Sequence, residues 1–175
     1  MIRLCIKTFC KYGLDKTTTK KLAEEANLSE AGLYFYFKNK EELLQKCVEE
    51  HFRKAKADID NLVLKFGSNP DAFVKAVFYY TKEMLLENRF IFQVLSHPHY
   101  SEIVKDLRAY LLDGTKKHMA ILQKYNLSQK NALGVVLLFN SALNNYILTQ
   151  DDDSFMIQMD FLLNYLNNNN FTSFE

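Results

Sequence analysis

The 175-residue sequence contains no tryptophan, two prolines and five glycines. So few chain breakers argue against a fold of short strands joined by tight turns, and for long helices. Its three cysteines, Cys5, Cys10 and Cys47, form an odd set without paired short spacings. That pattern is not a disulfide framework; it fits buried thiols in a reducing compartment. No secretory hydrophobic segment follows Met1. The longest apolar run, from Ala132 to Phe139, is interrupted by Gly134 and is far too short to span a bilayer. A soluble, cytoplasmic protein is the expectation. The sequence also lacks a phosphate loop, a Gly-x-Ser-x-Gly elbow and a dinucleotide fingerprint, so it is not expected to be an enzyme. Nor is there an excess of one charge: the formal net charge is +1, which does not announce nucleic acid.

The charges that are present are unevenly placed. Residues 1–40 hold eight basic side chains (Arg3, Lys7, Lys11, Lys16, Lys20, Lys21, Lys38, Lys40) against four acids (Asp15, Glu24, Glu25, Glu30), a local balance of +4 that leaves −3 for the rest. A basic head on an acidic body is an electrostatic footprint for a polyanion. Hydrophobic residues make up 48% of the chain, with 14 Phe and 10 Tyr, so a substantial core can be buried.

Hydrophobic periodicity gives an all-α chain of about nine helices with no convincing strand and no internal repeat. Ile2, Cys5, Ile6, Phe9 and Cys10 form the stripe of helix 1, which Gly13 ends. Thr17 and Thr18 offer a hydroxyl cap to helix 2, whose inner face is Leu22, Ala23 and Ala26. Asn27 can take a left-handed turn conformation, and Ser29 caps helix 3 with Leu33 and Phe37 inward. Asn39 caps a long helix 4. Gly67-Ser68-Asn69-Pro70 is the clearest break. Beyond it helix 5 is expected over 71–87, helix 6 over 89–96 up to Pro98, helix 7 over 101–125, helix 8 over 128–149, and helix 9 from the Asp151–Asp153 run, where acids oppose the positive end of the helix dipole.

Helices 2 and 3, joined by a turn of about three to four residues, have the form of a helix-turn-helix, which sets the start of its second helix in the major groove. The outward residues there are Glu30, Ala31, Gly32, Tyr34, Phe35 and Tyr36. Ala31 and Gly32 let the backbone approach base edges, and the Tyr34 and Tyr36 hydroxyls can donate to phosphate. Lys38 and Lys40 sit just beyond. Thr18 and Thr19, with the free N–H groups at the start of helix 2, make a second phosphate site.

The run Phe9-x3-Gly13-x3-Thr17-Thr18-x3-Leu22-Ala23-x2-Ala26-Asn27-Leu28-Ser29-x2-Gly32-Leu33-Tyr34-x-Tyr36-Phe37-x2-Lys40-Glu41-x-Leu43-Leu44 resembles the tetracycline-repressor (TetR) family of bacterial regulators. Cys5 and Asn27 are mild departures, standing where that family usually has Ala and Gly. The family usually carries an arm before helix 1, and here Met1 stands almost at its start. The resemblance covers the head alone. It implies a DNA-binding domain over 1–46 and a ligand-binding and dimerisation domain over 47–175. It further implies that Thr18, Thr19 and Lys40 hold phosphate, that Lys20 reaches phosphate or a base, that Glu30, Ala31 and Gly32 face bases, and that Tyr34, Phe35 and Tyr36 pack on the DNA backbone.

Other constellations are weaker. His97 and His99 flank Pro98 without a third nitrogen or sulfur ligand nearby, and zinc wants three or four, so no metal and no cofactor are expected. The Asp151–Asp153 run lacks the glycine and trailing Glu of a calcium loop. The rings of helices 5 to 7 suggest a pocket for a small hydrophobic or aromatic effector, with Tyr80, Met84, Phe92, Leu95, Leu111 and His118 as walls. Helix 8 is apolar around nearly its whole circumference and must be covered on both sides. A symmetry mate covering the outer side gives a homodimer interface with Val136 and Leu138, joined by Phe155, Met159 and Leu162 of helix 9. The expected protein is a repressor that binds a palindromic operator as a homodimer and releases it when an effector binds. The alternatives are the same fold answering to a protein partner or to no effector, and a helical enzyme.

Overall fold

The computed structural model describes residues 1–107, Lys116, Met119 and residues 127–169. Among the described residues every regular element is helical. In chain order these are α1 (Ile2–Tyr12), α2 (Thr19–Glu25), α3 (Glu30–Tyr36), α4 (Lys40–Phe66), α5 (Pro70–Glu83), α6 (Leu85–Ser96), α7 (Tyr100–Ile103), a 3-10 turn (Lys105–Leu107), α8 (Gln129–Thr149) and α9 (Asp152–Asn169).

Local chemistry explains most of the ends. The N–H of Gly13, at φ 84°, closes α1 on the Phe9 carbonyl. Such a positive φ suits a residue without Cβ. Thr18 accepts the Lys21 N–H, Ser29 that of Gly32, Asn69 that of Ala72 and Ser128 that of Asn131, so each helix start satisfies one orphan donor with a side-chain oxygen. At α4 the arrangement is reciprocal: Asn39 Oδ1 accepts the Glu42 N–H, and Glu42 Oε2 accepts the Lys38 N–H. Asp151 caps α9 through the N–H and hydroxyl of Ser154, which holds its carboxyl below the usual range. Asn27, at φ 55°, takes the left-handed conformation between α2 and α3.

Two boundaries differ from the sequence expectation. The chain breaks at Met84, so α5 stops at Glu83 and α6 begins at Leu85, several residues earlier than expected. No glycine or proline marks this break. The break coincides with the boundary between two compact units, and within the first α6 packs on α1, with Phe90 stacked on Phe9 at 5.3 Å between centroids. Where helix 7 was expected to begin there is one α-turn, Tyr100–Ile103, and then the 3-10 turn; farther on Lys116 and Met119 are helical, and the rest of that stretch lies outside the described residues.

The chain divides into two compact units. The first comprises Met1–Ala57 and Met84–Arg108. Its core is one cluster in which Phe9, Leu22, Leu33, Leu44, Cys47 and Val48 pack with Phe90, Val94 and Val104. Truncating a ring as enclosed as Phe9 costs roughly 3–5 kcal/mol. The second unit comprises Asp58–Glu83 and Ala109–Glu175. There α8 and α9 form a hairpin around Gln150, itself left-handed at φ 59°. Phe78 of α5 stacks on Phe155 at 4.4 Å and meets Tyr146 edge-on at 5.1 Å, and Lys82 pairs with Asp152 at 2.6 Å.

α8 is long and apolar enough, by length and composition, to cross a membrane. Counting only the unbroken run from Ala132 to Phe139 misses this, because the uncharged Asn, Ser and Thr around it leave the 21-residue helix apolar on average. The core helix of a soluble protein passes the same test.

Candidate nucleic-acid interface

α2 and α3 form the helix-turn-helix within the first unit. Leu22 and Leu33 are buried and anchor the two helices to the core. Because α3 has only seven residues, its orientation depends on that anchor and on the Ser29 cap, 2.9 Å from the Gly32 nitrogen. Gly32 is tightly placed: a Cβ there would stand 3.2 Å from Ser29 Oγ.

The side chains of α3 that do not enter the core present a mixed surface. Glu30 and Ala31 are exposed, Gly32 is half-buried, and Tyr34, Phe35 and Tyr36 project outward at 48%, 85% and 57% exposure. Tyr34 Oη donates to Thr19 Oγ1 at 3.4 Å, joining the two helices on this side. Phe35 and Tyr36 meet edge to face at 5.3 Å. Thr18 and Lys20 are exposed and Thr19 is half-buried. These nine residues lie on α2, its cap and α3, and one of the ten expected contacts is an exception.

That exception is Lys40. Its ammonium donates to the Leu14 carbonyl at 2.8 Å and stands 6.0 and 5.7 Å from the ring centroids of Phe9 and Tyr100. Burial pulls its pKa down. Lys40 therefore ties the start of α4 to the loop after α1. The exposed cations beside α3 are Lys20 and Lys38, and neither side chain has an ion partner among the described residues. Lys11 pairs with Glu25 at 3.2 Å, and Lys21 sits 3.7 Å over the Tyr12 ring.

Sequence reasoning missed a polar contact inside the first unit. His51 of α4 is 6% exposed, and the Asn88 side chain of α6 lies near enough to favour its charged form. Burial, with the nearby Lys54 charge, lowers its pKa to about 4 despite the opposing Asn88 side chain. His97 Nδ1 accepts the N–H groups of His99 and Tyr100, while its Nε2 lies 3.3 Å from Asp15. His99 lies 3.7 Å from Glu41. The two histidines around Pro98 thus pair with different carboxylates, and no group of three or more His, Cys, Asp or Glu stands together among the described residues.

Of the proposed effector walls, Met84, Phe92 and Leu95 belong to the first unit and are half-buried, with Leu95 against its core. Tyr80 belongs to the second unit and is half-buried. Leu111 and His118 lie outside the described residues. Of the proposed interface residues, Val136, Phe155, Met159 and Leu162 are buried within their own chain, and Leu138 is 55% exposed. The large apolar side chains that α8 and α9 leave outside are Leu133, Leu137, Leu138, Leu148, Met156, Ile157 and Phe161.

A capped, seven-residue second helix anchored by a buried leucine and edged by lysines and hydroxyls has the form of a helix-turn-helix. Residues 5–47 match the family model described as bacterial regulatory proteins, tetR family. Over 107 residues the chain is 28% identical to an HTH-type transcriptional regulator of Haemophilus influenzae, a match that covers 58% of this chain and 56% of that protein. Among solved structures, a TetR-family regulator from Rhodococcus sp. aligns with a TM-score of 0.67 at 14% identity, covering 95% of this chain and 94% of that one. The transcriptional regulator FadR from Bacillus subtilis, in complex with stearoyl-CoA, aligns with a TM-score of 0.67 at 13% identity over 94% and 95% of the two chains. FadR from Bacillus halodurans, a fatty acid degradation regulator, gives 0.66 at 13% over 94% and 91%. Residues 5–47 are thus similar to the tetR family of bacterial regulatory proteins, and the whole chain shares the fold of the solved regulators.

Proposed function

We propose that this regulator is a homodimeric repressor that binds a palindromic operator through α2 and α3 and lets go when an apolar small molecule binds its body. The observation that carries the DNA-binding half is the outward face of α3: three exposed rings, a small residue and a glycine, flanked by Lys20 and Lys38 that have no competing ion partner among the described residues. Phosphate contacts from the lysines and hydroxyls position the head, and base-edge contacts from Glu30, Ala31 and Gly32 select the sequence. A two-fold operator requires two heads. The apolar side chains left outside by α8 and α9 support dimerisation through that surface, because a row of exposed Leu, Ile and Phe is costly in water and is relieved by a second copy. A DNA regulator of this family works in the cytoplasm.

The effector reading rests on the ring-rich α5 and α6 and on the shared fold of a regulator solved with stearoyl-CoA. Release is a population shift, in which the ligand prefers the conformer whose recognition helices no longer match the operator. α4, which runs from the head past residue 57 into the second unit, is the lever. The test is operator release and thermal shift with a panel of long-chain acyl-CoA thioesters, fatty acids and planar aromatic compounds. A ligand of the folded state raises the melting temperature with concentration and lowers operator occupancy. If no compound in any of the three classes does both, the effector-driven reading is refuted.

A further inference from the structure

Ala31 and Phe35 lie two residues before and two after the buried Leu33 on α3. At 3.6 residues per turn they stand about 160° and 200° from it, so they form one i, i+4 ridge on the outermost line of the helix. Phe35, at 85%, is the most exposed ring among the described residues, and it meets Tyr36 edge-on at 5.3 Å. Glu30 and Tyr34 occupy one flank of the ridge and Tyr36 the other. The ridge itself has no side-chain donor or acceptor.

An exposed apolar ridge on the most protruding line of a reading helix needs an apolar counterpart. The head around it is positive, with a balance of +4 over residues 1–40 and exposed Lys16, Lys20 and Lys38, which selects a polyanion over a protein or lipid surface. In the major groove of duplex DNA every base pair presents donors and acceptors, but only thymine presents an apolar group, its C5-methyl. Resting on the DNA-binding reading above, we infer that Phe35, with Ala31 beside it, is a specificity-determining residue that packs on thymine methyl groups, so that each operator half-site carries thymine under the ridge. This role differs from packing on the sugar-phosphate backbone, which would be indifferent to the base.

The experiment removes the methyl alone. Operator duplexes are first selected from source-genome fragments with the full chain, and each thymine in a half-site is then replaced singly by deoxyuridine. Wild type and Phe35→Ala are compared by fluorescence anisotropy, with circular dichroism melts to establish that both are equally folded. At one or two thymines per half-site, uracil weakens wild-type binding by about fourfold, the worth of one buried methyl. Phe35→Ala binds the thymine duplex more weakly and no longer distinguishes thymine from uracil there. If Phe35→Ala loses the same factor on both duplexes, or if no uracil position weakens the wild type, the methyl-reading role is overturned while DNA binding stands. If no duplex is selected at all, the DNA-binding reading falls and this inference falls with it.

Discussion

His51 should make the stability of the folded chain fall with pH well above the range where carboxylates titrate. In the folded state its pKa is lowered to about 4, first by burial and then by the Lys54 charge; unfolded, an imidazole titrates near 6.5. Above pH 6.5 the ring is neutral in both states and makes no difference. As pH falls from 6.5 towards 4 the unfolded chain takes up a proton that the folded chain refuses, so stability is lost through that window and levels off below it. Integrated from pH 7.5 to pH 5.0, the loss is about 2 kcal/mol, of order a fifth or more of a typical domain stability. Urea unfolding followed by helical circular dichroism measures it, since the chain has no tryptophan to report by fluorescence. His51→Gln keeps an amide for Asn88 and removes the proton site. Subtracting its pH profile from that of the wild type cancels the other titrating groups, and the difference should reach about 2 kcal/mol at pH 5.0. Parallel profiles, or an NMR titration midpoint for His51 near 6.5 in the folded protein, would refute the reasoning.

Ser29→Ala removes the cap of α3 and should cost about 1 kcal/mol in unfolding free energy, with a matching loss of specific DNA affinity because the first turn carries the reading residues. Lys38→Ala should reduce the slope of log K against log salt by about 0.9, the share of one phosphate, without changing the melting temperature. Lys40→Ala should act in the opposite sense: the melting temperature drops, in keeping with about 1.5 kcal/mol for a lost charge-assisted bond to Leu14, and the salt slope barely moves. Leu137→Glu, on the outer side of α8, should give folded monomers in sedimentation, whereas Val136→Glu should unfold the second unit, because Val136 is buried in its own chain.

The head was legible because its punctuation is chemical. Gly13, Thr18, Asn27, Ser29 and Asn39 each do locally what their residue type dictates, and the outward residues of α3 follow once that helix is placed. The break at Met84 was not, since no helix-breaking residue marks it and the contacts beyond it, Phe90 stacked on Phe9 and the Leu86 carbonyl accepting from Cys10 Sγ, are distant in sequence. Lys40 stands at the spacing of a phosphate contact, but the sequence could not show that its ammonium reaches the Leu14 carbonyl. α8 shows a different limit. Val136 and Leu138 are two positions apart and so on nearly opposite faces, one buried and one exposed, and an apolar circumference carries no sign of which face the chain keeps for itself. On α9 the sequence reading assigned Phe155, Met159 and Leu162 to the contact between copies, yet all three are buried in their own chain, and the exposed Ile157 and Phe161 were not singled out.

The central claim is that α3, held by Leu33 and the Ser29 cap, reads a DNA sequence. Its most direct measurement is the ratio of affinities for a selected genomic duplex and for a scrambled duplex of equal length, at one fixed salt concentration, for the wild type and for Gly32→Val. The wild type should prefer the selected duplex by at least about a thousandfold. The variant, with a side chain forced against Ser29 Oγ at the closest point of approach, should lose most of that ratio while keeping its affinity for the scrambled duplex. Equal affinity of the wild type for both duplexes, or an undiminished ratio in Gly32→Val, would contradict the account.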